Sequence, residues 1–253
     1  LSTGQLDRIC SIKPRTLRKY HGLYFVDRIP ILIEELIAAG LSDRPRQVRL
    51  YKLGPVGEEI ARRLFDNAMP TGYDGYGSHR ILHDVLTNES VLRVGEMAIR
   101  GGYEATWKSK FQATIFNERG APALEPDAML SMRRDDEALD FFFEFHNEDH
   151  SKRAARKVER YERVYRDYRW HKQLPVEDMP TVLVVLRHEV VGRGYQNAVE
   201  VARRMGLGCT FLGKSWDDLV HGGERDLALW WNFGTERIQS ILQFTQSEQD
   251  ADG

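Results

Sequence analysis

The run Leu139-Asp140-Phe141-Phe142-Phe143-Glu144-Phe145 decides the fold. It is strongly apolar and short, which reads as a buried strand. Upstream, Pro126–Met132 reads as a shorter strand and Tyr103–Phe116 as one or two more. Downstream, Thr181–Leu186 (TVLVVL) is apolar throughout, as a central strand covered on both faces must be. Helical periodicity fills the intervals. Ser78 caps a helix from His79 to Arg100, with Ile81, Leu82, Val85, Leu92 and Met97 inward. Ser151–Tyr168 is a basic helix whose Ala154, Ala155, Val158, Tyr161, Tyr165 and Tyr168 form one stripe. Gln196–Met205 is a helix, Cys209–Leu212 a strand and Trp216–Leu219 helical. This order predicts an α/β domain over residues 78–245, a mixed sheet flanked by helices.

Residues 1–66 read differently. Ser2 or Thr3 caps a helix to Cys10, with Leu6 and Ile9 inward. Pro14 opens a second helix near Arg15–Tyr20, and Pro30–Ala39 fits a third, with Ile33, Leu36 and Ile37 inward. Arg44–Leu53 (RPRQVRLYKL) alternates like a ribbon, and Gly54-Pro55 turns into the helix Glu58–Phe65. Short helices followed by a basic ribbon predict a winged helix-turn-helix, whose short helix fits the DNA major groove. Lys13, Arg15, Arg18 and Lys19 on or near the second helix, and Arg44, Arg46, Arg49 and Lys52 on the ribbon, are the candidate duplex-DNA contacts. Asn67–Gly77 (NAMPTGYDGYG) is the expected linker, and 246–253 an expected disordered tail.

Charge follows the same division. Residues 1–65 hold 12 Lys/Arg against 7 Asp/Glu, a net of +5, whereas the whole 253-residue chain is at −2. Inside the acidic remainder, 151–172 is a basic island of 9 Lys/Arg against 3 Asp/Glu. Both suggest contact with a polyanion. Apolar residues at 42% supply a core, and no apolar run approaches the roughly 18 residues of a membrane span. Cys10 and Cys209 read as free thiols. The expectation is a cytoplasmic protein; Leu1 opens so abruptly that the chain reads as cut from something longer.

The strongest chemical constellation is Asp127 after Pro126, Glu144 one hairpin later and Lys157 on the next helix. Paired strands would bring the two carboxylates together, and a divalent cation relieves their repulsion. Such a metal activates water at a scissile phosphate, with a lysine to balance charge. Glu89, Glu96 and Glu104 are further carboxylates within the same reading.

These pieces, Glu125-Pro126-Asp127-Ala128 and Phe143-Glu144-Phe145-His146, resemble the PD-(D/E)xK restriction-endonuclease-like fold. His146 stands at the lysine position, on the same face as Glu144, and Lys157 resembles a migrated lysine. The whole chain also resembles the replication-relaxation family of plasmids and integrative elements. Leu50-Tyr51-Lys52-Leu53-Gly54-Pro55-Val56-Gly57 matches that family's wing ending, and Pro126-Asp127-Ala128, Phe142-Phe143-Glu144 and Lys157-Val158-Glu159-Arg160-Tyr161 continue the match, with His79 between. Members usually carry an acidic residue where His146 stands. The resemblance implies a DNA-associated role in replication, mobilisation or transcriptional control, with double-stranded DNA and other mobile-element proteins as partners. With histidine at the lysine position, the nuclease-like site is expected to be inactive, its carboxylates Asp127 and Glu144 still able to take Mg²⁺ or Mn²⁺. The alternatives are a metal-dependent endonuclease using Asp127, Glu144, Lys157 and His146, and a protein-interaction adaptor.

Other motifs weigh less. Gly208–Ser215 fits GxxxxGK[ST] by letter, but a helix precedes it and the span between the glycines reads as the strand. His79 and His83 have zinc spacing without a third ligand; Glu144, His146, Asp149 and His150 form the better alternative metal cluster. Trp230, Trp231 and Phe233 read as core or an interface anchor.

Overall fold

The computed structural model describes residues 1–29, 36, 41, 49–64, 77–206 and 208–242. They fall into two compact units, Leu1–Glu89 and Ser90–Gly253. The division lies inside the long helix Ser78–Arg100, whereas the sequence places it at the Gly/Pro-rich stretch before that helix.

In the first unit, α1 (Thr3–Cys10) starts from a capping box in which the Ser2 side chain accepts from the Gln5 N–H. Ser11, left-handed at φ 54°, closes it, and α2 (Pro14–Gly22) follows after Ser11–Lys13 with proline in its first turn. The inward residue of α1 is Gln5, and Ile9 is exposed, contrary to the expected apolar face. The Gln5 Nε2 donates to the Val85 carbonyl at 3.0 Å and to Glu89 at 3.3 Å. Arg8 also binds Glu89, at 2.7 Å.

The ribbon is built from two segments far apart in sequence. β1 (Val26–Ile29) pairs antiparallel with β2 (Leu50–Leu53), with Val26 opposite Leu53 and Ile29 opposite Leu50. The expected strand over Arg44–Leu53 therefore has an unforeseen partner at Val26–Ile29. The expected third helix is described only at Leu36, and Arg44 and Arg46 lie outside the described residues, as do the linker up to residue 76 and the tail. α3 (Pro55–Leu64) follows β2 directly. A Cβ on Gly57 would stand 2.2 Å from the Phe25 carbonyl oxygen, so this glycine is where the helix start presses on the entry to β1.

In the second unit, a seven-stranded mixed sheet has the order β11-β10-β9-β8-β7-β6-β3. Its strands are β3 (Glu104–Ser109), β6 (Ala128–Arg134), β7 (Glu137–His146), β8 (Thr181–Leu186), β9 (Phe211–Ser215), β10 (Leu229–Asn232) and β11 (Arg237–Ser240). A separate pair joins β4 (Ile115–Phe116) to β5 (Pro122–Leu124). β8 lies in the middle, parallel to β7 and β9, which is why TVLVVL carries no polar residue between its ends. One sheet face, with Met129, Phe142, Val182 and Phe211, packs against α6 (Lys152–Arg166) and α7 (Glu189–Arg204) through Val158, Tyr161, Tyr195 and Val199. The long helix, α4, shares that unit from Ser90 onward, and α8 (Trp216–His221) seats Trp216 edge-on against Phe145 from the opposite face. The α/β class read from the sequence is thus the observed one. The strands β10 and β11 are additions, as are the short helices α5 (Lys110–Ala113) and α9 (Glu224–Ala228), and α7 begins at Glu189 rather than Gln196.

Candidate functional site

Antiparallel pairing of β6 with β7 sets Ala128 opposite Phe143 and so brings Asp127 beside Glu144. The Asp127 N–H donates to the Phe143 carbonyl at 2.9 Å, and its Oδ2 accepts from the Phe145 N–H at 3.0 Å. Strand alternation turns Phe142, Glu144 and His146 toward α6 and α7. Glu144 is 1% exposed. Its Oε1 accepts from the Tyr161 hydroxyl at 2.7 Å, and its Oε2 is paired with the Lys157 ammonium. Lys157 and Tyr161 are four residues apart on α6, hence on one face. The sequence placed Tyr161 in an apolar stripe; its ring does pack at 5.8 Å from Phe142, but its hydroxyl serves Glu144.

Burial pushes the Glu144 carboxyl up to about 7; the Lys157 ammonium opposes that rise and the Asp127 carboxylate adds to it. Burial alone would lower the Lys157 ammonium, but the negative charges of Glu144 and Asp127 outweigh it and hold the group above its ordinary value. Lysine therefore remains the cation of the pair through neutral pH.

His146 is buried too, and its Nε2 lies 2.8 Å from the Tyr195 hydroxyl on α7. Tyr195 stacks on Phe233, which gives that aromatic a core role. Neither tyrosine is a candidate base: burial, with the Glu144 charge, holds both phenols well above their ordinary value. The imidazole thus belongs to a second hydrogen bond, while the lysine that reaches Glu144 comes from α6.

Both oxygens of Glu144 are engaged, and a hard cation needs about six oxygen ligands. Among the described residues, no group of three or more His, Cys, Asp or Glu is placed to hold a metal ion. A divalent cation held by Asp127 and Glu144, with waters completing its shell, would have to displace or share the bonds that Tyr161 and Lys157 make to Glu144. The cluster expected from Glu144, His146, Asp149 and His150 does not assemble: Asp149 and His150 pair with each other at 3.2 Å in solvent, while Glu144 and His146 are buried. Glu104 opposes Arg133, at the end of β3 and β6 remote from Asp127. Glu89 belongs to the Arg8 and Gln5 contacts of the first unit. His83 pairs with its neighbour Asp84, and His79 is exposed.

The P-loop lettering has another cause. The buried Glu162 carboxylate accepts from the Gly208 N–H at 3.0 Å and the Cys209 N–H at 2.8 Å, where a phosphate would have to sit. A Cβ on Gly213 would meet the Phe233 ring at 2.3 Å. Lys214 donates to the Asp226 carbonyl at 2.7 Å, and burial lowers its ammonium. Burial together with Glu162 raises the Cys209 thiol.

On α2 of the first unit the charges face outward. Leu17 is buried in α2, and Arg15, Arg18 and Lys19 are exposed on its other faces. Lys13 is bonded to Asp7 at 2.7 Å. Arg49 is exposed beside β2 and Lys52 is half-buried. Arg28, on β1, is exposed as well and was not foreseen, because its segment did not read as a strand.

The architecture is that of an α/β protein with a basic helical unit and a buried carboxylate–lysine pair. Residues 2–176 match the replication-relaxation family, and the chain belongs to it. Membership suggests a role in the replication or mobilisation of a plasmid or other mobile element. No curated protein and no solved structure matches the chain.

Proposed function

We propose that this protein binds duplex DNA through its first unit, as a non-cleaving factor in the replication, mobilisation or transcriptional control of a mobile element. The observation that carries the reading is the outward basic face of α2. Arg15, Arg18 and Lys19 are exposed while Leu17 anchors the helix, and α1 and α2 are joined by the three residues Ser11–Lys13. That is helix-turn-helix spacing. The β1–β2 ribbon, with Arg28 and Arg49 exposed on or beside it, fits the part of a wing along the flanking phosphates. Other proteins of the mobile element are further partners on this reading.

The second unit fits a nuclease-like scaffold that does not cut. Cleavage needs an activated water and positive charge placed where the phosphoryl oxygens gain negative charge. Here Lys157, which reaches the carboxylates, is held by Glu144. A second reading, a Mg²⁺- or Mn²⁺-dependent endonuclease, is favoured by the adjacency of Asp127, Glu144 and Lys157, and requires Tyr161 and Lys157 to release the carboxylate.

The test is a titration of the full chain with duplex DNA at graded salt. Log affinity should fall linearly with log salt, by about 0.9 per phosphate contact. The combined Arg15→Ala, Arg18→Ala and Lys19→Ala variant should bind at least about tenfold more weakly with a shallower slope. An unchanged affinity in that variant would refute the assignment to α2.

A further inference from the structure

We propose that the outer face of α6 is a second duplex-DNA contact of this chain, made to backbone phosphates by Lys152, Arg156 and Arg163. It rests on the DNA-binding reading above and extends it to the second unit. Residues 151–172 hold 9 Lys/Arg against 3 Asp/Glu, whereas the rest of residues 66–253 holds 15 against 28. Seven of the nine cations lie on α6, and the fold divides them into two sets. Lys157 turns inward to Glu144, and Arg160 donates to the Pro122 and Ala123 carbonyls. Arg153 is paired with Glu148, and Arg166 stands 3.9 Å from the buried Glu162. Lys152, Arg156 and Arg163 are left at the surface. Among the described residues, none pairs with Lys152 or Arg156. At 100° per residue the three fall within an arc of about 40°, opposite the buried Ala154, Val158 and Tyr161. They span roughly 16 Å of helix axis, about half a turn of duplex.

Helix stability does not account for this arrangement. The first turn of α6 carries no acidic residue. Lys152 and Arg156 instead stand near the end where backbone N–H groups already make the potential positive. Being four apart, they also repel each other. An anion on this face relieves both effects. The composition of the face selects which anion. The exposed residues of α6 are all charged except Ala155. No ring is there for an unpaired base to stack on, and no large apolar side chain to anchor a protein or enter a bilayer. Glu159 is the acidic member, and it pairs with Arg163 at 2.7 Å while the two side chains are 69% and 72% exposed. Such a pair adds little in water and yields to a phosphate. A duplex, with one negative charge per roughly 1.7 Å of axis, supplies what this face can hold: charge, with no base edge to read.

The experiment is a titration of the full chain with short duplexes of several sequences at graded salt, with circular dichroism and thermal melts for each variant. The α6 variant Lys152→Gln/Arg156→Gln/Arg163→Gln should bind every duplex at least about tenfold more weakly. Its log–log salt slope should be shallower by about 2 to 3, as three lost phosphate contacts require. Its melting temperature should not fall, because the change relieves repulsion at the helix start. The charge-keeping variant Lys152→Arg/Arg156→Lys/Arg163→Lys should stay within about twofold of wild type. The α2 variant Arg15→Ala/Arg18→Ala/Lys19→Ala should keep a residual salt-sensitive affinity that the combined α2 and α6 variant lacks. Single-stranded DNA of equal length should compete for that residual binding less well than duplex. An α6 variant with wild-type affinity and slope overturns the proposal and leaves the α2 assignment standing. Weakening in the α6 variant alone, with the α2 variant unaffected, overturns the α2 assignment and supports this one. A charge-keeping variant as weak as the glutamine variant overturns the phosphate contact, and residual binding that prefers single strands overturns the duplex. No binding by wild type at low salt overturns both assignments.

Discussion

Helices α2 and α6, the latter at Lys157, place basic residues on opposite sides of the water boundary. In the first, Arg15, Arg18 and Lys19 project from α2 into solvent. In the second, Lys157 turns inward to a glutamate that is 1% exposed, and a tyrosine completes the carboxylate's bonds. Exposed charges add little to stability because water already serves them, so they remain available to a polyanion. Buried charges cost several kcal/mol to desolvate and persist only when paired. Exposed charge is therefore expected to govern binding, and buried charge to govern stability.

The largest effect should come from removing one half of the buried pair. Lys157→Met leaves Glu144 buried opposite Asp127 and should destabilise the chain by about 3 kcal/mol in alkaline denaturant melts. The loss should shrink in acid, because Glu144 escapes by protonating. A variant as stable as wild type at every pH would break the contrast.

Next comes the pH dependence of Glu144 itself. Its folded value, about 7, lies above its ordinary 4.5, so the folded state holds the proton more tightly. The resulting stabilisation is complete below the ordinary value and is lost as pH rises through the folded one. Wild type should therefore lose stability relative to Glu144→Gln across that interval, and the difference should level off above it. A difference that instead grows in favour of wild type as pH rises would mean that the carboxylate is better off charged than its burial allows.

Gly57→Ala should cost about 2 kcal/mol, since its Cβ would stand 2.2 Å from the Phe25 oxygen and the backbone must yield. A neutral result would show that β1 and α3 are less firmly joined than their geometry requires. The smallest stability effect belongs to Arg15→Ala, Arg18→Ala and Lys19→Ala. Each should stay within about 0.5 kcal/mol in thermal or chemical melts while DNA affinity falls.

The legibility of the chain follows the same division between regular burial and individual contacts. Phe141–Phe145 and Thr181–Leu186 announced themselves because a strand covered on both faces admits few polar residues. Pairing of Pro126–Met132 with the next strand then brought Asp127 to Glu144 by simple register. Alternation also placed His146 beside Glu144 on one face, but not the Tyr195 hydroxyl that binds it, since α7 is joined to β7 only through tertiary packing. Tyr161 was hidden by its own ring, which fits an apolar stripe whichever way the hydroxyl points. β10 and β11 gave no signal: with Leu229, Trp231 and Ile238 outward, four residues each do not separate an apolar face from a polar one. In the first unit the partner of the basic ribbon lay at Val26–Ile29, across a segment that no local pattern bridges. The compact units divide at a different place from the change in composition. Composition changes at Asn67–Gly77, whereas the start of α4 is tied to α1 through Gln5 and Arg8.

On the reading proposed above, exposed charge on α2 binds DNA and the buried charges around Glu144 do not cut it. Supercoiled plasmid incubated with the wild-type chain and Mn²⁺ tests this most directly, read for both complex formation and nicking. A salt-sensitive complex with the plasmid left intact is expected. Nicking by the wild type that disappears in Asp127→Ala and in Lys157→Ala would contradict it and establish the endonuclease instead.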